Sequence, residues 1–321
     1  MWRNTRLNNR EYRDRRTVLK SLPQTVFIDT GNVCNLRCEL CPSGLGKIDK
    51  KGLMSLEMFK RAAAALGPTA RQIHLYNWGE PMLNSDIVEM CRIAARFPAK
   101  TYIATNLNVL KPGQAQGLAR SGLDVLNVSV DGATQESYEA YRAGGVIEKV
   151  LANMREVVRA VRDCPGSRLK VRWQFLTSRK NQHEVEDARR IADDIGVKFK
   201  ARRMRVGLEE FDEKSIFEAA EADDQWLPEA EELNRYKTEE AHEVCCQLWN
   251  TAVVNFDGSI TPCCQIYKES QAFSDSFEDQ FRRIWNGPSY VAAREMFATG
   301  EVSPRAAKLV CNPCRRLGNV L

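Results

Sequence analysis

Between residues 24 and 206 six short apolar runs alternate with five amphipathic ones, and this alternation leaves the chain few folds. Strand-like runs cover 24–31, 71–78, 100–106, 124–132, 168–178 and 197–206. Helix-like runs lie between them at 55–67, 85–98, 112–122, a long stretch ending near 162, and 181–196. Ser55 and Ser85 stand where helix N-caps belong, and Gly196 where a helix stops. Repeated strand–helix units make a parallel sheet with crossover helices. Near-continuous apolar runs such as "DVLNVSV" suit strands covered on both faces. A partial barrel and a doubly wound sheet both satisfy the pattern, and periodicity does not separate them.

The chain has 321 residues, 43% of them hydrophobic, enough for one large α/β domain and a small appendage. Its net charge of +5 comes from residues 1–20, which hold seven bases against two acids; the remainder balances. No global basic field points to nucleic acid, and the basic arm at 1–21 reads as a solvated tail. No run is long and apolar enough for a membrane span, and the N-terminus lacks the apolar segment of a secretory signal. A cytoplasmic location is therefore expected. Residues 209–243 hold fourteen acids and three bases, read as an acidic helical linker over 207–240 before a C-terminal unit at 241–321.

Eleven cysteines in a cytoplasmic chain point to metal or redox chemistry rather than disulfides. Cys91 falls in a helical run and reads as a buried small hydrophobe; Cys164 is given no role. Three others form "CNLRCELC", with Cys34, Cys38 and Cys41 directly after the first strand. Ligand sites of parallel α/β folds gather at that edge of the sheet. Three thiolates on a [4Fe–4S] cluster leave one iron without a protein ligand, free to bind a small molecule. The alternative is a zinc site completed from afar, but none of the three histidines, His74, His183 and His242, is near in sequence.

C-x₃-C-x₂-C after the first strand of a six-fold βα repeat resembles the radical S-adenosylmethionine (SAM) enzymes. The resemblance spans about residues 22–206 and implies a partial (β/α)₆ TIM-like barrel. It implies a [4Fe–4S] cluster whose open iron chelates SAM, reductive cleavage to a 5′-deoxyadenosyl radical, and hydrogen abstraction from a substrate. By the same resemblance, "WGEP" places Gly79 and Glu80 on the SAM ammonium, with Trp78 where the family usually has glycine. Ser129 and Asp131 in "SVDG" match ribose contacts, Arg142 matches a SAM carboxylate partner, and Leu40 replaces an aromatic residue against adenine. Asn106 joins the SAM-lining set.

The C-terminal tract carries Cys245, Cys246, Cys263, Cys264, Cys311 and Cys314. It resembles the auxiliary-cluster extension called SPASM, in the shortened form called twitch. That form implies a second, auxiliary [4Fe–4S] cluster, for which Cys246, Cys263, Cys311 and Cys314 are the expected ligands. Cys245 and Cys264 are then spare, because adjacent strand residues face opposite ways. A Cys₄ zinc site is the alternative.

The expected activity is that of a radical SAM oxidoreductase. By resemblance, the first expectation is a dehydrogenase of sugar or aminocyclitol-type alcohols whose auxiliary cluster takes the electron. The second is an epimerase in which Cys245 or Cys264 returns a hydrogen atom. The third is a ribosomal-peptide modifying enzyme, which would need a separate recognition partner because only about 23 residues precede the first strand. An electron donor such as flavodoxin or ferredoxin is implied. Arg202, Arg203 and Arg205 end the sixth strand and would either hold a phosphate or carboxylate of the substrate or pair with the acidic stretch. Alternation sends Arg203 and Arg205 to one face and Arg202 to the other.

Overall fold

Six parallel strands stand in chain order: β1 (Thr25–Ile28), β2 (Gln72–His74), β3 (Lys100–Thr105), β4 (Val125–Ser129), β5 (Lys170–Thr177) and β6 (Lys198–Arg203). The structure, a computed structural model, describes residues 1–204, 226–228 and 244–316. Helices α2 (Leu56–Leu66), α3 (Ile87–Ala94), α4 (Gln114–Arg120), α5 (Gln135–Glu139), α6 (Ile147–Arg162) and α7 (Val185–Ile195) make the crossovers. The result is a partial (β/α)₆ barrel. Arg205 and most of the acidic stretch lie outside the described residues.

Local sequence explains the crossovers. Ser55 caps α2 by accepting from the Met58 N–H at 3.2 Å, and Phe59, Ala62, Ala63 and Leu66 bury one stripe of that helix. Ile147, Val150, Met154 and Val157 do the same on α6, at the i, i+3, i+4 spacing of an amphipathic helix. Gly196 closes α7 at φ 81°, a left-handed position that glycine takes without strain. Ser85 does not cap α3: the flanking residue is Asp86, and its N–H donates to Asn84 Oδ1 at 2.9 Å.

The sheet does not end at β1. Strand β7 (Thr251–Val254) pairs with β1 in parallel, from Thr25 opposite Thr251 to Ile28 opposite Val254. Strand β8 (Ile260–Thr261) then pairs antiparallel to β7. Eight strands therefore run in the order β6-β5-β4-β3-β2-β1-β7-β8. Around β7 and β8 fold α8 (Gln247–Asn250), α9 (Phe281–Trp285), α10 (Pro288–Thr299) and α11 (Cys311–Arg316). One apolar core joins Val26, Ile28 and Phe59 of the barrel to Trp249, Val254 and Trp285 of the C-terminal unit.

The N-terminal segment, expected as a solvated tail, is a helix, α1 (Trp2–Arg13), with Asn8 and Glu11 buried. Asn8 Nδ2 donates to the Trp249 carbonyl at 2.7 Å and to Ser21 Oγ at 2.9 Å. The Glu11 carboxylate accepts from the Lys20 and Ser21 N–H groups at 2.8 and 3.1 Å and from Ser21 Oγ at 2.6 Å. Charge composition misled here, because two polar residues on the inner side of α1 dock it while its arginines stay outside.

Glu11→Ala leaves two backbone donors in a buried corner without an acceptor. A loss of about 1–3 kcal/mol in urea unfolding, followed by tryptophan fluorescence, is expected. A solvated tail would leave the midpoint unchanged.

Candidate active site

The loop from β1 to α2 carries Cys34, Cys38 and Cys41, and short-range contacts hold its shape. Asn32 ties its two ends, donating to the Lys50 carbonyl at 2.8 Å and accepting from the Gly52 N–H at 2.9 Å. Gly44 lies against Cys38: a side chain there would come within 2.4 Å of the Cys38 carbonyl oxygen. Sequence reading missed Gly44, since a lone glycine carries no signal until its neighbour is known. Two donors reach the Cys34 sulfur, the Leu36 N–H at 3.5 Å and Asn106 Nδ2 at 3.7 Å. Burial pushes the Cys34 thiol up to about 11 and raises that of Cys38.

Gly79 lets the β2 loop touch the β1 loop, because any side chain at this position would fall 2.0 Å from the Gly31 carbonyl oxygen. The Glu80 carboxylate follows at 2% exposure. It accepts from Thr105 Oγ1 at 2.6 Å, the Asn106 N–H at 2.7 Å and the Met82 N–H at 3.0 Å. A carboxylate has about four acceptor positions, so one is left for an ammonium. Burial raises its pKa, against these hydrogen bonds.

Asp131 is fully buried and grips Arg142, whose Nε and Nη2 both lie 2.7 Å from Oδ2. Its Oδ1 accepts from the Leu176 N–H at 2.7 Å. The resemblance assigned Asp131 to a ribose. In the structure Asp131 is also the counter-charge that a buried guanidinium needs. Burial disfavours the Arg142 charge, but Asp131 and then Cys38 outweigh it and raise the pKa. Arg142 also hydrogen-bonds the Cys38 thiol. Ser129 ends β4 beside Gln174 of β5, 8% exposed. Leu40 packs with Cys34, Cys41 and Leu176 against an apolar group of Leu36, Cys38, Tyr141, Met204 and Trp226. Tyr141 and Trp226 meet edge to face at 5.5 Å between centroids. Neither was read from the sequence, although Tyr141 adjoins Arg142.

A second cavity is lined by Cys245, Cys263, Cys311 and Cys314 among Leu248, Ile266, Phe297 and Val310. Sequence reading chose Cys246 over Cys245. The structure reverses that choice: Cys246 is not on the cavity, and it and Cys245 both raise the pKa of Tyr12 on α1. The reversal comes from the start of α8, which turns the first of the two thiols inward. Cys264 also leaves the cavity. It acts on Tyr76, whose hydroxyl is pushed up to about 12 by burial first and by Cys264 second. Among the described residues no three potential ligands converge on a single-ion point, and four of the thiols line one cavity instead.

Trp78 joins the two regions. Its carbonyl accepts from Ser43 Oγ, two residues beyond Cys41. Its indole N–H donates to the Ile266 carbonyl at 3.0 Å, three residues beyond Cys263, and its ring meets Tyr267 edge to face.

Residues 28–168 match the Radical SAM superfamily. This span of the chain is a radical SAM domain. Residues 245–315 match SPASM, described as an iron-sulfur cluster-binding domain. A GTP 3′,8-cyclase of Alkaliphilus oremlandii (strain OhILAs) is 31% identical over 41% of this chain and 42% of its own. The first curated relatives are each covered over less than half of their own length. The fold is shared with BtrN in complex with AdoMet and 2-DOIA, at TM-score 0.54 and 17% identity over 88% of this chain and 89% of BtrN. It is also shared with Streptococcus suis SuiB bound to precursor peptide SuiA, at TM-score 0.62 and 14% identity over 91% and 71%.

The donor sets fit the cofactors of this family. Three sulfurs on one loop, with donors aimed at Cys34 and Cys38, suit a [4Fe–4S] cluster with one iron left to SAM. Four sulfurs round an apolar cavity suit a closed cluster.

After anaerobic reconstitution, Cys245→Ala is expected to cut iron and sulfide from about eight each per chain to about four. Cys246→Ala is expected to keep both. Metal analysis and electron paramagnetic resonance check this, and the opposite pattern would restore Cys246 as the ligand.

Proposed function

We propose that this radical SAM enzyme removes a hydrogen atom from a carbon of a small-molecule alcohol, of sugar or aminocyclitol type, and oxidises the substrate by two electrons. When bound, the cofactors supply a 5′-deoxyadenosyl radical from SAM at one cluster and an electron acceptor at the other. A flavodoxin or ferredoxin is the proposed source of the electron that starts the reaction.

The observation that carries this reading is the four-cysteine cavity and its tie to the SAM loop through Trp78. A cluster with four protein ligands has no position for a substrate, so its use beside a radical site is electron transfer. Cys34, Cys38 and Cys41 hold the reactive cluster, and Arg142, braced by Asp131, offers its remaining N–H groups toward a carboxylate. The last acceptor position of Glu80 faces the SAM ammonium in this reading. Oxidation also needs a proton acceptor. Asp29 stands two residues beyond Phe27 on β1, buried, its carboxyl pushed up to about 7 by burial. A base poised near neutrality suits this step, and we assign it to Asp29.

A second reading is epimerisation, and the placement of Cys264 favours it. This thiol lies off the cluster cavity and close enough to Tyr76 to act on its hydroxyl.

Incubation of the reconstituted protein with SAM and dithionite is expected to yield 5′-deoxyadenosine, and none in the Cys34→Ala/Cys38→Ala/Cys41→Ala variant. Reaction with substrate in deuterium oxide then separates the two outcomes. A product lighter by two hydrogens, without carbon-bound deuterium, supports oxidation. An isomer of the substrate with one carbon-bound deuterium, lost in Cys264→Ala, establishes the epimerase.

A further inference from the structure

The barrel strands have two unlike faces. Val26, Ile73, Trp173, Phe175 and Ala201 are buried in or against the helical layer. On the opposite, lumen face, Phe27 stacks on His74 at 4.4 Å and His74 on Tyr102 at 4.8 Å, covering β1 to β3. The lumen face of β5 and β6 is different. Register sets Arg172 opposite Lys198, Gln174 opposite Lys200 and Leu176 opposite Arg202. Strand alternation therefore puts Arg172, Lys198, Lys200 and Arg202 on one face. The three on β6 are exposed. Arg203, on the other face, has a buried Nε without a partner.

Adjacent parallel strands lie about 4.8 Å apart, and alternate residues along a strand about 6.6 Å. Four cations at such spacings repel one another. The Lys200 ammonium registers this: Arg202 first, then burial, Arg172 and Lys198 lower its pKa. Exposed arginines elsewhere, such as Arg61, Arg92 and Arg189, stand against Asp279, Glu89 and Glu186. None of the four lumen cations has such an ion pair among the described residues. No Asp or Glu occurs within the bounds of any of the six barrel strands, so the sheet offers none.

The patch abuts the SAM region. Arg202 sits one strand from Leu176, whose N–H holds the Asp131 that grips Arg142. Arg202 also acts on Tyr76, the residue beside Cys264.

We propose that the lumen face of β5 and β6 is the anchoring site for an anionic group of the substrate, a phosphate or carboxylates, held by Lys200 and Arg202 with Arg172 and Lys198 beneath. This rests on the small-molecule reading above and narrows its substrate to an acidic one. Fixing the anion at Arg202 leaves the carbon skeleton to run toward the SAM loop and Cys264. Arginine matches two oxygens of either anion in a fork.

The test uses the reconstituted, two-cluster protein and isothermal titration calorimetry. Probes are inorganic pyrophosphate for phosphate, citrate for carboxylates, myo-inositol as a neutral control, and a Glu-rich decapeptide. Saturable binding of pyrophosphate or citrate, weakened by salt, is expected, with no heat from myo-inositol. Whichever of the two binds tighter names the group. The Lys200→Gln/Arg202→Gln variant is expected to lose at least about tenfold in affinity at wild-type iron content, and the Lys200→Arg/Arg202→Lys variant to retain binding. Absence of binding, equal binding by the Gln variant, or tighter binding of the peptide than of either small anion overturns the proposal. Formation of 5′-deoxyadenosine by the wild-type protein is scored separately, so failure of the small-molecule radical reading and failure of the anion site remain distinguishable.

Discussion

Parallel pairing of β1 with β7 is the contact on which the rest depends. It gives β1 a neighbour on both sides, so the strand that launches the cluster loop is central in the sheet. The two cluster regions are thus not separate bodies on a tether. They share a sheet, one apolar core and the Trp78 contact. Helix α1 completes this arrangement from outside, since Asn8 binds the Trp249 carbonyl just before β7 begins.

Charge is distributed with similar economy. In the Asp131–Arg142 pair the carboxylate is fully buried and the guanidinium mostly so, and removing either partner would strand a charge. Its role is orientation: Asp131 fixes the guanidinium next to Cys38 while the Leu176 N–H fixes Asp131. A few residues away the opposite rule applies. The cations of β5 and β6 face the lumen without a counter-charge among the described residues. A paired arginine positions, whereas unpaired cations on a concave surface attract.

Much of the site was legible from local spacing. Cys34, Cys38 and Cys41 lie within one loop, and a loop after a parallel strand can only open at the C-terminal edge of the sheet. The parallel βα units were equally open to reading, because each is local and its handedness is general. Gly79 and Glu80 came from resemblance instead: Gly79 lies against Gly31 of the β1 loop, and Glu80 accepts from Thr105 and Asn106 at the end of β3.

The sequence by itself therefore determined the repeated βα units, the three-cysteine loop and a second group of cysteines near the C-terminus, while family resemblance pointed to the barrel. Only the tertiary structure decided which thiols line the C-terminal cavity. Cys245 and Cys246 are chemically identical, and of the two only Cys245 lies on it. Tertiary packing likewise decided that Asp131 serves Arg142 and that α1 is docked. Each of these depends on what stands opposite a side chain. In this chain the residue opposite stands from eleven positions away, as for Asp131 and Arg142, to 241, as for Asn8 and Trp249.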